Sequence, residues 1–199
     1  GLGLSISLRG TAQVSCVFFG EGSTEEGVFY ESVNFAALKK LPVLFICENN
    51  LYSVYSSLAV RQPRGRKIYE MVRSLGVQSE CGDGNDVMDV YSKVSNAVAS
   101  IRAGSGPFFL EFSTYRWREH CGPNFDNDIG YRTENEYLEW KEKDPIMFLE
   151  NALLAQGVIS GVEITRIDEE IVKEIASAFD FAEHSPFPLP TEASSHLFQ

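Results

Sequence analysis

The chain has 199 residues, with 28 Asp and Glu against 17 Lys and Arg, and a formal net charge of -11 at pH 7. That length holds one well-cored domain and is short for two, and 44% hydrophobic with 12% aromatic residues exclude a disordered chain. The acidic balance argues against a nucleic acid or an anionic membrane as partner, because no basic stripe is present to meet either.

The first ten residues, GLGLSISLRG, read as a helix packed with small residues and entered part-way. There is no initiator Met, so further sequence is expected upstream of Gly1. No charged and then apolar leader is visible, and no apolar stretch nears the roughly 20 residues a membrane span needs. VSCVFFG (14–20) is a short continuous apolar run. LPVLFICEN (41–49) and PFFLEFSTYR (107–116) are two more, and GVQSECG (76–82) is a weaker fourth. Runs without alternation predict strands covered on both faces, as in a parallel sheet.

Helical patterns lie between them, at 25–40, about 66–75 and 86–103. The last opens on Gly-Asn-Asp, an N-cap signal. This alternation predicts an α/β fold, a doubly wound, mostly parallel sheet flanked by helices. Residues 116–133 are polar and long for a structureless connection, which marks a functional or mobile loop. Helices are expected at 134–142, 144–156 and 165–183. The domain is expected to cover residues 1–185, with an extended, proline-bearing tail at 186–199. The four cysteines, Cys16, Cys47, Cys81 and Cys121, form no metal-binding spacing. Cys16 and Cys47 read as small core residues, which favours a reducing, cytoplasmic setting.

Chemistry is expected beyond the carboxyl ends of the strands, where open parallel sheets hold their ligands. Gly20-Glu21-Gly22 ends the first run. Its glycines let backbone approach a ligand closely. Ser23 and Glu26 read as a capping box opening a helix, whose free N–H groups suit phosphate. A carboxylate beside phosphate is repulsive unless a cation lies between them, so Glu21 points to a hard metal such as magnesium. The second run ends in Glu48-Asn49-Asn50-Leu51-Tyr52, which offers further oxygen donors. Glu25, Glu26 and Glu31 read as helix-dipole or subunit-contact residues. Arg61, Arg64, Arg66 and Lys67 read as a surface face.

GEG followed about 26 residues later by NN resembles the thiamine-diphosphate signature, usually written GDG…NN. The stretch GEGSTEEGVFYESVNFAALKKLPVLFICENNLYSVY, with Tyr115-Arg116, His120 and Tyr131-Arg132-Thr133 downstream, resembles the alpha subunit of 2-oxo acid dehydrogenases of the pyruvate, branched-chain and acetoin kind. The resemblance covers most of residues 1–150. It implies the thiamine-diphosphate-binding fold of the diphosphate-binding type. Gly20, Glu21, Gly22, Ser23, Asn50 and His120 would meet the cofactor. Glu21, the Asn50 amide and the Tyr52 carbonyl would hold magnesium. His120 would stabilise charge or shuttle protons beside the substrate.

The implied cofactors are thiamine diphosphate and magnesium. The implied partner is a beta-type subunit in a heterotetramer, or else a homo-oligomer, acting on a small 2-oxo acid. The implied reaction is oxidative decarboxylation with acyl transfer to a lipoyl carrier. Three departures stand out. Glu21 replaces the family's Asp. The loop CGPNFDNDIG has no serine, so phosphorylation control is not expected there. The hundred or so residues that the family carries ahead of this point are not in the chain. A truncated or remnant module that keeps the fold without turnover is the alternative reading. A split transketolase is a weaker one, and the YRT segment argues against it.

Overall fold

The computed structural model describes residues 1–195. Helix α1 (Leu2–Arg9) leads into strand β1 (Ser15–Gly20). A 3-10 turn (Glu21–Glu25), helix α2 (Gly27–Leu38) and strand β2 (Val43–Asn49) follow. Two-residue strands β3 (Tyr52–Ser53) and β4 (Ser56–Ser57) form a hairpin that runs into the single-turn α3 (Leu58–Arg61). Then come α4 (Ile68–Ser74), β5 (Gln78–Asp83), α5 (Val87–Arg102) and β6 (Phe108–Ser113). Beyond the long loop lie α6 (Glu134–Lys141), α7 (Pro145–Ala155) and α8 (Gly161–His184).

The four apolar runs make one sheet in the order β1-β2-β6-β5, parallel throughout. Period-two side-chain alternation sorts the core onto two faces. Phe45, Cys47 and Phe109 pack on one face with Phe29 and Val33 of α2 and Ile68 and Val72 of α4. Leu44, Ile46, Leu110 and Phe112 pack on the other with Ala97 and Ile101 of α5. Helices therefore cover both faces, which is what the mostly apolar runs of β2 and β6 require.

β1 departs from that expectation. Phe18 is 62% exposed, and Val17 and Cys16 are exposed as well. β1 pairs only with β2, so it is one of the two sheet edges among the described residues. Cys16 is thus no core residue, whereas Cys47 is fully buried. Desolvation, with the nearby Glu111, Glu21 and Glu48 charges adding to it, pushes the Cys47 thiol well above its ordinary value.

Local chemistry sets the helix ends. Asp86 caps α5 by accepting from the N–H groups of Met88 and Asp89, as Gly-Asn-Asp predicts. α2 stops where Leu41 N–H reaches the Ala36 carbonyl and Lys40 N–H the Ala37 carbonyl, with Lys40 at positive φ. Pro42 follows and could not continue a helix. The Ser23 and Glu26 capping box does not form. Residues Glu21–Glu25 make a 3-10 turn instead, the Thr24 hydroxyl donates to the Glu21 carbonyl, and an extended Glu26 precedes the helix.

The chain divides into two compact units, Gly1–Leu149 and Glu150–Gln199, and α7 contains that boundary. In the second unit, α8 starts four residues ahead of the expected 165. A capping box between Ser160 and Glu163 fixes its first turn. The tail is extended to Leu189 and then makes a 3-10 turn at Pro190–Ser194. Residues 196–199 lie outside those described. Among the described residues no helix is long and apolar enough to cross a membrane.

Candidate functional site

The register places Gly20 opposite Glu48, so the Gly-Glu-Gly turn and the Asn pair leave the sheet side by side. The 3-10 turn packs against both β2 and β3. Gly22 is needed for that approach, since a Cβ there would lie 2.8 Å from Ser53 Oγ and 3.3 Å from Arg61 Nη1. At Gly20 a Cβ would meet nothing within 4 Å, which leaves this backbone open to a ligand.

Glu21 is 1% exposed. A carboxylate that deep needs a partner, and Arg61 provides it, with Nη2 donating to Glu21 Oε1 at 2.5 Å. Nη1 donates to Glu25 Oε1, also at 2.5 Å, and Nε to the Ser56 carbonyl. Gln62 Nε2 adds a bond to Glu25 Oε1 at 3.0 Å. The Leu58 N–H donates to the Leu51 carbonyl at 2.7 Å, which hooks α3 onto the Asn turn and sets Arg61 one helical turn further on.

Asn49 is buried, and its Nδ2 donates to Glu111 Oε1. The other Glu111 oxygen accepts from Tyr69 N–H at the start of α4, so this carboxylate ties β2, β6 and α4 together. Asn50 is half-buried, and its Oδ1 accepts from the Tyr52 N–H at 3.1 Å. The Tyr52 hydroxyl donates to the Glu136 carboxylate at 2.8 to 2.9 Å. Burial first, and that carboxylate second, push the Tyr52 phenol up to about 12.

The expected magnesium donors are all oxygen, as a hard cation requires. Two of the three are engaged by protein N–H groups, and Glu21 in particular by a full positive charge. A divalent cation sharing that carboxylate would meet the guanidinium at close range. As arranged, the donor set does not fit a divalent ion at Glu21. Arg61 therefore does not belong to the expected surface face. Its partners lie 36 and 40 residues away in sequence, so only tertiary structure brings it to the turn. The one sequence signal for it was two turn carboxylates, Glu21 and Glu25, with no cation nearby. Arg64 and Arg66 are exposed as expected, and Lys67 pairs with Glu70.

The 116–133 loop has no helix or strand, yet it is tightly tied. Arg132 is buried and donates to Asp126 Oδ1 at 2.5 Å and to the Arg116 carbonyl. Its guanidinium lies 5.1 Å from the Tyr115 ring centre and 5.2 Å from that of Tyr131. The Tyr131 hydroxyl takes the second Asp126 oxygen, and Thr133 caps α6 by accepting from Glu136 N–H. Arg116 reaches the Val54 carbonyl, so it clasps the hairpin turn, where Val54 is held at positive φ. A β-branched residue there is strained backbone, which tends to cluster at functional sites. His120 is exposed between Arg118 and Asn124, whose bonds to Pro123 and Glu119 close this part of the loop. Among the described residues no hydrogen bond or ion pair joins His120 to Glu21, Asn50 or Tyr52.

A parallel sheet with a glycine-flanked turn and an asparagine turn on adjacent strand ends defines an α/β domain of the doubly wound class. The particular family is the dehydrogenase E1 component, to which the chain belongs, residues 1–191 matching its profile. It is 35% identical over 198 residues to the pyruvate dehydrogenase E1 component subunit alpha of Zymomonas mobilis, covering 99% of this chain and 54% of that one. The subunit of the same name from Rickettsia bellii is 32% identical, covering 100% of this chain and 60% of its own. The human somatic mitochondrial form is 34% identical over 201 residues, covering 100% of this chain and 50% of its own. The chain thus spans about half the length of the curated relatives it matches. Among solved structures, a thiamin diphosphate-dependent enzyme of Mycobacterium smegmatis gives a TM-score of 0.46 at 20% identity, over 58% of this chain and 21% of that one.

Proposed function

We propose that the chain is the diphosphate-anchoring part of a thiamine-diphosphate-dependent 2-oxo acid dehydrogenase. The observation that carries this reading is the open Gly20 backbone on a strand end adjacent to the Asn50 turn, in a chain that matches E1 alpha subunits along its whole length. Thiamine diphosphate, when bound, supplies the nucleophilic carbon and the electron sink for decarboxylation. Gly20, Gly22 and Ser23 would offer it backbone N–H groups, and the Asn50 turn leaves the adjacent strand end beside them. His120, on the loop that Arg132 and Arg116 hold in place, moves a proton or balances charge beside the 2-oxo acid.

A beta-type subunit in a heterotetramer, or else a second copy in a homo-oligomer, would supply the remaining half of the cofactor site, and the acyl group would leave to a lipoyl carrier. Four free thiols support a cytoplasmic setting. The reading includes no magnesium at Glu21, where the Arg61 ion pair supports a guanidinium instead. That same pair favours a second reading, a module that keeps the fold without turnover.

The test is carbon dioxide release from a panel of 2-oxo acids by the chain reconstituted with a beta-type subunit and thiamine diphosphate, with a lipoyl carrier present to accept the acyl group and the two electrons. Turnover is expected, and His120→Ala should lower kcat by about 10²–10⁴ with an unchanged circular dichroism spectrum. Full activity in the His120 variant would remove that residue from the mechanism. Cofactor binding with no turnover of any 2-oxo acid would favour the second reading.

A further inference from the structure

The Glu21 turn carries its own cation. Glu21 is almost fully buried, and the Arg61 side chain beside it is only 12% exposed. The guanidinium is engaged on three edges, by Glu21, by Glu25 and by the Ser56 carbonyl. Gln62, the next residue, is also buried and donates to the same Glu25 oxygen as Arg61. α3 is hooked to the Asn turn by Leu58 N–H, so the arginine is delivered from a fixed base and not from a mobile arm. Arginine suits this role because its planar fork serves two carboxylates at once and keeps its charge throughout the working pH range. Lengthening the turn carboxylate to Glu carries it outward by one methylene, toward α3.

From this geometry we propose that Arg61 replaces the divalent cation at the Glu21 turn, so that the chain binds no divalent metal there and any diphosphate it holds is held without one. The proposal rests on the reading of this turn as the diphosphate end of a cofactor site. A guanidinium supplies one positive charge where a divalent ion would supply two. The Glu21, Glu25 and Arg61 group therefore keeps a net negative charge, and the backbone N–H groups of the turn carry more of the diphosphate recognition.

Manganese(II), followed by electron paramagnetic resonance, tests this on the full chain, because binding depletes the free-ion signal without any turnover. The parent chain and Glu21→Gln are expected to leave that signal unchanged. Arg61→Ala frees a carboxylate pair and should bind manganese about tenfold or more tightly than the parent, and Glu21→Gln added to Arg61→Ala should abolish that gain. A parent chain that binds one manganese and loses it in Glu21→Gln would overturn the proposal, since the guanidinium would then be displaced by metal. That comparison decides the matter even where Arg61→Ala fails to fold. A folded Arg61→Ala that binds no manganese would overturn it too. Thiamine diphosphate titrated into the chain together with a beta-type subunit, in the presence of a chelator, separates the two layers. Binding there supports both readings. Loss of all cofactor binding, with the manganese results as expected, would remove the diphosphate reading and leave Arg61 as the resident cation.

Discussion

Arg132→Ala is expected to cost about 3–5 kcal/mol of folding stability, because it strands Asp126 as a buried, unpaired carboxylate. Arg132 and Asp126 are 0% and 4% exposed at the side chain, so water cannot replace the lost partner. The arginine also lies between the Tyr115 and Tyr131 rings and donates to the Arg116 carbonyl. Its removal therefore releases the loop at several points. Urea unfolding measures the loss. Replacing the pair together, Arg132→Met with Asp126→Leu, should recover much of it, since a buried ion pair is worth little more than a well-packed apolar pair. A loss below about 1 kcal/mol in the single variant, the range of exposed pairs, would mean that the pair is solvated. The buried Arg132 Nε has no partner, so this network already carries one unsatisfied donor.

Phe109→Ala should be as damaging, at about 3–5 kcal/mol, through lost transfer energy and the cavity left behind. Phe109 is fully buried at the centre of the sheet. Its ring centre lies 6.2 Å from those of Phe19 and Phe29, so it joins β6 to β1 and α2. Set against a total stability of about 5–15 kcal/mol, such a loss should leave part of the population unfolded at 37 °C. Phe18→Ala provides the control. Phe18 is the neighbour of Phe19 on β1 but 62% exposed, and its removal should shift stability by no more than about 0.5 kcal/mol. Equal losses at both positions would contradict the two-faced core and the open edge.

The strands are legible because burial on both faces removes polar alternation: VLFIC carries that pattern without a break, and PFFLEF interrupts it only at Glu111. β1 carries it too, yet its outer face is open, since composition records what a strand can bury and not what lies beside it. The start of α5 could be read from Asp86 because a cap is local. The start of α2 could not. Ser23 and Glu26 have capping-box spacing, but the Thr24 hydroxyl takes the Glu21 carbonyl and a 3-10 turn forms first.

In the candidate site, Glu21 and Asn50 stand out in the sequence because each directly follows a strand end, where position along the chain fixes position in the fold. Arg61 was missed because its meaning depends on carboxylates 36 and 40 residues earlier, and on a hairpin of two-residue strands too short to show a period. The YRT segment was noticed as a motif only. Its physical content is tertiary: Tyr131 and Arg132 share Asp126, and Thr133 caps the next helix.

Calorimetric titration of thiamine diphosphate into the chain together with a beta-type subunit, with magnesium and then with a chelator, tests the central claim most directly. The account predicts saturable binding that requires the partner, persists in the chelator, and is lost when Gly20→Val crowds the open backbone of the turn. Binding that appears only with magnesium would contradict the place given to Arg61. No binding under any condition would contradict the claim that this strand-end turn anchors a diphosphate.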